Sequence, residues 1–181
     1  MSAAIDAINS IATARLTLRP PVAGDADAIV RALQDWDVVK NLARVPWPYE
    51  PAHAAEFLAR AATWRAEDSE RTFAIDDGTF CGMIGVRGHR GGAATIGYWL
   101  ARAAWGKGYA TEAVRALVDY SFEHLPAESL NAGVVADNRA SMRVLVKAGF
   151  ARVGAGTCGT LSRGDQASVD FRLTRADWRP Q

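Results

Sequence analysis

Two glycines flank a lysine in "WGKGYATEA" (residues 105–113), and this stretch limits the possible folds more than any other. From Ala110 onwards the apolar residues follow a helical spacing, so the sequence predicts that a helix begins directly after Gly108. The segments "GGAATIGYWLA" before the turn and "LNAGVVA" after the helix have the composition of strands. A helix that connects two strands of one sheet makes them parallel. The glycine turn therefore predicts a strand–helix–strand unit at the centre of the fold.

The remaining patterns extend this unit to a mixed α/β chain. "RLTLRP" alternates as a strand does, and helical patterns follow from Asp25 and from Pro51 through about Asp68. "RTFAI" and "FCGMIGVRG" predict a hairpin around "DDGT", next to the strand that precedes the glycine turn. "NRASMRVLVKAGF" reads as a helix, and "ARVGAG" and "ASVDFRLT" as a last hairpin with a polar Ser/Arg/Gly/Asp turn. This order predicts a mixed sheet with helices on its faces.

Composition excludes several classes of protein. With 21 basic and 20 acidic residues the formal charge is +1, which argues against a general nucleic-acid or membrane-surface binder. The opening "MSAAIDAINSIATARL" lacks the features of a secretory signal, and no window approaches the ~18 apolar residues of a membrane span. Cys81, which we expect in the core, and Cys158 have no paired spacing, so we expect reduced thiols in a cytoplasmic protein. We expect no metal site, because no ligand spacing relates the histidines, His53, His89 and His124.

The glycine turn invites comparison with known phosphate-binding motifs. A P-loop requires Gly and Ser/Thr where this chain has Ala101 and Gly108. A dinucleotide fingerprint requires a third glycine where Thr111 stands. A simpler site needs only the glycines and the first amides of the helix, with Lys107 adding positive charge. From these residues alone, an anion site and a plain tight turn both remain open.

Two motifs carry a resemblance to a known family. "IGYWLARAAWGKGYATEAV" resembles the acyl-CoA-binding core of the GNAT acetyltransferases, a strand followed by Arg/Gln-x-x-Gly-x-Gly/Ala and a helix. Trp105 stands where this motif usually has Arg or Gln. The same departure is found in one branch of the family, the RimJ/RimL-like branch. That branch resembles the enzymes that acetylate the N-termini of ribosomal proteins. That branch also shares "N-x-x-S-x-x-x-x-x-K-x-G-F", found here at Asn138, Ser141, Lys147, Gly149 and Phe150. With "TARLTLRP" and "DFRLTRADW" the similarity runs from about Thr13 to Trp178.

The resemblance implies a fold and a reaction. The fold is a single GNAT domain over residues 1–181, with a core at about 13–178 and a mixed sheet of about six to seven strands, flanked by helices on both faces. The strands at about 94–101 and 130–136 would diverge in a V-shaped split. The implied reaction moves an acetyl group from acetyl-CoA to a primary amine by direct attack in a ternary complex, without a metal.

The resemblance also implies the cofactor contacts. The turn amides would hold the pyrophosphate, the strand backbone before the turn would bond pantetheine, and Asn138 would reach the pantetheine arm. Ser141 would face the thioester sulfur. The implied cofactor-binding residues are Trp99, Leu100, Ala101, Gly106, Lys107, Gly108, Tyr109, Ala110, Thr111, Asn138 and Ser141.

The catalytic groups are less well specified. Ser141 is the first candidate to protonate the leaving thiolate, with Tyr98 or Tyr109 in reserve. The base is open, because Thr95 stands where relatives often carry Glu. An α-amine with a pKa near ~8 needs only a modest base through water, so direct attack with water removing the proton is also open. Four residues are possible substitutes for the missing base, although such residues are more often structural or solvated: Asp35, Asp37, Glu112 and His89.

The acceptor side is the least defined part of the sequence. It is expected in the irregular segment whose aromatic residues either line a pocket or pack in the core, namely Trp36, Trp47 and Tyr49. The predicted helix at "NRASMRVLVKAGF" has a row of basic residues, Arg139, Arg143 and Lys147. We expect this row to face solvent rather than to contact the 3′-phosphate of CoA. The acceptor is either a protein N-terminus or a small-molecule amine, such as an antibiotic. A non-catalytic acyl-CoA sensor on the same fold is an alternative, and the resemblance leaves a homodimer open.

Overall fold

A computed structural model describes residues 10–180, so the part of the signal-peptide prediction that concerns residues 1–9 lies outside the described residues. One eight-stranded sheet has the order β1-β2-β3-β4-β5-β6-β8-β7. The strands are β1 (Ile11–Ala12), β2 (Thr17–Arg19), β3 (Glu70–Asp76), β4 (Phe80–Arg87), β5 (Ala93–Leu100), β6 (Ser129–Val135), β7 (Ala151–Thr160) and β8 (Gly164–Thr174). The helices are α1 (Ala26–Leu33), α2 (Trp36–Val39), α3 (Pro51–Ala66), α4 (Tyr109–His124) and α5 (Arg139–Lys147).

Helices cover both faces of the sheet, as the sequence predicts. On one face α4 and α5 bury a large cluster that includes Leu117 and Leu145 against strand residues such as Ile96. On the other face a smaller cluster joins α1, α2 and the start of α3, with Trp99 packed against it. Because neighbouring side chains of a strand point to opposite faces, β5 contributes to both clusters. None of the helices in residues 10–180 is long and apolar enough to cross a bilayer.

The predicted V-shaped split lies between β5 and β6. These strands are parallel, and they pair only at Ala93–Ser129, Ala94–Leu130 and Thr95–Asn131. Beyond this point β5 stays with β4 as far as Leu100, whereas β6 stays with β8 along its whole length. Each strand is thus held by its outer neighbour, and the space between them opens towards the glycine turn.

Two details of the sheet differ from the sequence expectation. The sheet has eight strands rather than six to seven, because the short β1 pairs with β2. A two-residue strand is too short to show alternation, so the pattern could not reveal it. The last hairpin is also longer than expected: its strands continue to Thr160 and start again at Gly164. The exposed, polar composition of this extension resembles a turn, although its backbone pairs as a ladder.

The tip of the last hairpin contacts the segment between α2 and α3. The amide of Leu161 donates to the carbonyl of Ala43 at 3.0 Å, and Arg163 Nη1 donates to the carbonyl of Lys40 at 3.3 Å. The segment that the sequence leaves irregular therefore has a fixed position over the open end of the split. It begins with α2, whose first turn is capped by Asp35, which accepts from the amide of Asp37 at 2.9 Å.

Candidate active site

The glycine turn has the backbone conformation that only glycine adopts easily. The φ angles of Gly106 and Gly108 are 75° and 81°, in the left-handed region, and Gly108 directly precedes α4. Space is not the reason for glycine: an added Cβ would meet nothing within 4 Å at Gly106, and only Arg15 Nη2 at 3.4 Å at Gly108. The tight turn is therefore real. It also places the first amides of α4, which have no intrahelical acceptor, at the open end of the split.

Glu112 and Arg15 hold this turn in place. Glu112 accepts hydrogen bonds from Thr13 Oγ1 at 2.6 Å and from the Arg15 amide at 2.9 Å, while Arg15 Nη1 donates to the carbonyl of Lys107 at 2.9 Å. Burial alone would raise the pKa of Glu112, but the hydrogen bonds from Thr13 and Arg15 outweigh it and lower that pKa. Glu112 is thus a fully engaged carboxylate that positions the turn, which makes it a poor candidate for the base.

A cavity of about 800 Å³ lies in front of the turn. Nine of the expected cofactor residues line it, namely Trp99, Leu100, Gly106, Gly108, Tyr109, Ala110, Thr111, Asn138 and Ser141. Two do not. The amide of Ala101 donates to the Cys81 carbonyl at 2.8 Å, and the Lys107 ammonium lies 5.5 Å from the centre of the Tyr109 ring. Of the basic row on α5, all three residues are exposed, and only Arg139 lines the cavity.

Trp105 connects the turn to the end of β5. Its indole Nε1 donates to the carbonyl of Leu100 at 2.9 Å, and the guanidinium of Arg102 lies 5.1 Å from the centre of its ring. The tryptophan that replaces the usual Arg or Gln therefore stabilises the turn through a side-chain hydrogen bond to the preceding strand.

Tyr98 and Ser141 form a hydroxyl pair across the split. The Tyr98 hydroxyl and Ser141 Oγ are hydrogen-bonded at 2.8 Å, and the Tyr98 hydroxyl also donates to the Ser141 carbonyl at 3.2 Å. Asn138 caps α5 by accepting from the Ser141 amide at 3.1 Å, which fixes the serine. Burial raises the pKa of Tyr98 to about 12, against a smaller opposite effect of the bond to Ser141. Tyr98 therefore keeps its proton at neutral pH, and the two candidate acids stand together.

The reserve acid Tyr109 has a different environment. A hydrogen bond between its hydroxyl and Asp77 raises its pKa. The guanidinium of Arg15 lies 5.0 Å from the centre of the Tyr109 ring. Tyr109 is therefore part of the contacts around the glycine turn. It lines the same cavity as Tyr98 and Ser141 but forms no hydrogen bond with either of them.

The other candidate bases are engaged elsewhere. Arg102 Nη2 donates to Asp35 at 2.7 Å, and this hydrogen bond lowers the pKa of Asp35. Lys40 and then Arg102 lower the pKa of Asp37 to about 2. His89 is buried beside Asp68 and lines neither cavity. Carboxylates paired with cations are weak proton acceptors, so neither aspartate is a good base.

A second cavity of about 550 Å³ lies on the sheet face that α1 and α3 cover. Of the three aromatic residues of the irregular segment, only Tyr49 lines it, and Tyr49 also belongs to the smaller core cluster. Trp36 and Trp47 pack edge to face, with ring centres 5.2 Å apart, and are 39% and 41% exposed. From the sequence, these three aromatic residues could either line a pocket or pack in the core. In the structure Tyr49 does both, whereas Trp36 and Trp47 lie at the surface.

The second cavity also contains ionic residues that the sequence did not indicate. Strand register places Glu70 opposite Arg87, and Arg87 opposite Thr95, so the three form one row across the cavity floor. Glu70 is 8% exposed and is held by Arg44 through two hydrogen bonds of 3.0 and 3.2 Å. Both Glu70 and Arg87 stand at strand ends, where the alternating pattern is weakest. Only the register brings them together.

The two cavities meet at the hydroxyl pair. Both are lined by the same six residues, Asn41, Leu42, Tyr98, Trp99, Asn138 and Ser141. One cavity thus leads from the glycine turn, and the other from the face under α1 and α3, to a common point in the split. Within residues 10–180 no cluster of three or more His, Cys, Asp or Glu side chains suits a metal ion.

A family model of the GNAT acetyltransferase domain matches residues 15–151. The chain belongs to the GNAT acetyltransferase family. It is 31% identical over 152 residues to the uncharacterized N-acetyltransferase p20 of Bacillus licheniformis, covering 81% of this chain and 85% of p20.

Solved structures of acetyltransferases share the fold. The microcin C7 self-immunity acetyltransferase MccE, in complex with acetyl-CoA and AMP, has a TM-score of 0.79 at 19% identity and covers 90% of this chain and 93% of its own. RimL, the ribosomal L7/L12 α-N-protein acetyltransferase in complex with coenzyme A, has a TM-score of 0.80 at 17% identity, covering 91% and 97%. These similarities confirm the fold expected from the two sequence motifs.

Proposed function

We propose that this GNAT protein, acting as one domain over residues 1–181, transfers the acetyl group of acetyl-CoA to a primary amine. The observation that carries the proposal is the meeting of two cavities at Tyr98 and Ser141. A two-substrate transfer requires this arrangement, because the reacting atoms must come within contact distance while each substrate keeps its own site. The relatives MccE and RimL, with acetyl-CoA and coenzyme A in their structures, support the choice of donor.

The cofactor cavity suits the two polar parts of coenzyme A. The free amides at the start of α4 and the helix dipole favour a pyrophosphate beside Gly108. Pantetheine fits the split, where the edge of β5 that faces β6 is unpaired after Thr95. The amide of Ala101 is bonded to Cys81 and the carbonyl of Leu100 to Trp105. Since successive strand residues direct their backbone groups to opposite sides, we expect the pantetheine bonds at Tyr98 and the Leu100 amide.

The chemistry needs one proton donor and one proton acceptor. As the amine nitrogen bonds to the acetyl carbon, the carbon–sulfur bond breaks and the thiolate leaves with its electron pair. Ser141 or Tyr98 supplies the thiolate's proton, and the pair is restored from solvent. The nitrogen loses its proton to water. An amine with a pKa near ~8 is sufficiently deprotonated at neutral pH for this route, so Thr95 in place of Glu is compatible with activity.

The acceptor cavity favours a small-molecule amine over a protein N-terminus. Its volume of about 550 Å³ lies within the ~300–1,000 Å³ typical of small-ligand sites. Cys158 and Leu161 of the last hairpin line it, and the hairpin tip is bonded to the segment between α2 and α3. An extended peptide would have to displace these contacts, whereas a small amine would not.

The test has two parts. Thermal unfolding is recorded with and without saturating acetyl-CoA, and free-thiol release is then measured against small amines, amino acids and basic peptides. We expect a rise in Tm, because acetyl-CoA binds the folded state, and thiol release with at least one small amine. A rise in Tm with acetyl-CoA, but no thiol release with any amine, would favour an acyl-CoA sensor. Absence of any shift would contradict the cofactor site.

A further inference from the structure

Arg87 is the one arginine of the acceptor cavity without a partner in residues 10–180. The cavity is lined by three arginines and two glutamates. Arg44 pairs with Glu70 at 3.0 Å and Arg60 with Glu56 at 3.5 Å. The guanidinium of Arg87, by contrast, donates no hydrogen bond and forms no ion pair with any described residue. His53, Tyr49, Tyr98 and Cys158 are the other titratable groups of the lining.

The surroundings of Arg87 favour an added anion. Arg87 is exposed as a residue, and its guanidinium is only partly desolvated in the cavity. This partial desolvation lowers its pKa, the nearby positive charge of Arg44 lowers it further, and Glu70 acts in the opposite direction. An arginine keeps its proton in any protein, so the disfavoured charge remains in the cavity. A carboxylate or phosphate would compensate it, and a planar guanidinium binds both groups through paired hydrogen bonds.

The floor between Arg87 and the junction of the cavities is open. Along β4 and β5 the cross-strand pairs on this face are Arg87–Thr95, Gly85–Gly97 and Met83–Trp99. The middle pair has no side chains, and an added Cβ at Gly97 would meet nothing within 4 Å. The φ angle of Gly97 is not in the left-handed region, so its backbone does not require glycine. Trp99 at the junction is four residues from Thr95, or about 13 Å along the strand. One small molecule can span much of this distance.

We propose that the acceptor is a small amine that also carries an anionic group, a carboxylate or a phosphate, and that Arg87 binds this group. The inference rests on the proposed function, because it identifies Arg87 as the binding site for the anionic end of an acceptor whose amine lies near Trp99. It makes Arg87 a determinant of acceptor specificity without a part in proton transfer. The inference disfavours a basic protein tail, whose positive charges would face an unpaired guanidinium.

The test compares matched acceptors. Thiol release from acetyl-CoA is measured with triglycine and triglycine amide, and with N-glycyl-O-phosphoethanolamine and N-glycylethanolamine, in which the α-amine and the anionic group are several bonds apart. The first pair changes only a carboxylate and the second only a phosphate, so the two arms distinguish the anions. The variants are Arg87→Gln, Arg87→Lys and, as a control, Arg152→Gln, because Arg152 is an exposed strand residue outside both cavities.

We expect the parent to prefer the charged member of at least one pair. Arg87→Gln should raise KM for that acceptor about 10- to 100-fold with little change in kcat, and should leave KM for the neutral partner unchanged. Arg87→Lys should restore part of the loss, and Arg152→Gln should behave as the parent. The same acceptors are titrated calorimetrically into the protein loaded with CoA, which measures the preference without turnover.

The two proposals fail in different ways. If neutral amines or basic peptides react as well as the anionic ones and Arg87→Gln leaves every KM unchanged, the Arg87 inference is wrong while the acetyltransferase proposal stands. If no amine releases thiol, the proposed function fails. In that case, equal calorimetric binding of the charged and neutral members, or the same binding by Arg87→Gln, overturns the Arg87 inference as well.

Discussion

The two cavities that meet at Tyr98 and Ser141 are built in different ways. The cofactor cavity is formed mainly by two short stretches, residues 98–111 and 137–144, and the groups proposed to bind the pyrophosphate are backbone amides. The acceptor cavity takes residues from α1, α3, α5, five strands and three connecting segments. A site made of backbone groups needs a fixed local conformation and therefore leaves a motif. A site made of distant side chains depends on the register of the sheet, and one substitution can change what it binds.

The largest effect is expected from a substitution that blocks acetyl-CoA binding in the cofactor cavity and leaves the acceptor cavity unchanged. Gly108→Trp should weaken acetyl-CoA binding about 100-fold or more, because the indole would occupy the space beside the first amides of α4. The acetyl-CoA-dependent rise in Tm measures this loss. Gly164→Trp is the matched control, since Gly164 also has a left-handed φ, of 68°, but lies outside both cavities. Equal loss in the two variants would assign the effect to backbone strain rather than to the site.

The contrast between the cavities also explains what the sequence could reveal. The turn at Gly106 and Gly108, the helix after it and the parallel strands around it follow from local composition, and the split follows from the family resemblance. The eighth strand was missed because β1 is too short for a pattern. Glu70 and Arg87 were missed because their proximity depends on pairing between β3 and β4. Asp35 and Glu112 could be named as acids, but only the structure shows that arginines engage them.

The pH dependence sharpens the assignment of the proton acceptor. If water receives the amine proton, kcat/KM should rise about tenfold per pH unit below the pKa of the amine and then level off. The plateau should begin near pH ~8 for an α-amine and above pH ~10 for a lysine-type amine. Tyr98, whose pKa is raised to about 12 by burial, should cause no decline below pH ~10. Initial rates with two acceptors of different pKa provide the measurement. A plateau at one pH for both would indicate an ionising base on the protein.

A smaller effect is expected at the support of the glycine turn. Glu112→Gln weakens the bonds to Thr13 and Arg15, so it should lower the free energy of unfolding by about 1 kcal/mol at pH 7. The pKa of Glu112 is lowered in the folded state, so its contribution is present above the unfolded pKa and is lost as the pH falls through the folded pKa. The difference between parent and variant in denaturant titrations should therefore disappear in acid. A difference that persists unchanged at low pH would show that the carboxylate charge is not its source.

The central claim is that acetyl transfer takes place where the two cavities meet, at the hydroxyl pair of Tyr98 and Ser141. The most direct test is the rate of thiol release by the double variant Tyr98→Phe and Ser141→Ala at saturating substrates, with acetyl-CoA binding measured in parallel. We predict a fall in kcat of about 100-fold or more, with the acetyl-CoA-dependent Tm shift retained. A kcat equal to that of the parent would contradict the assignment and move the transfer away from this junction.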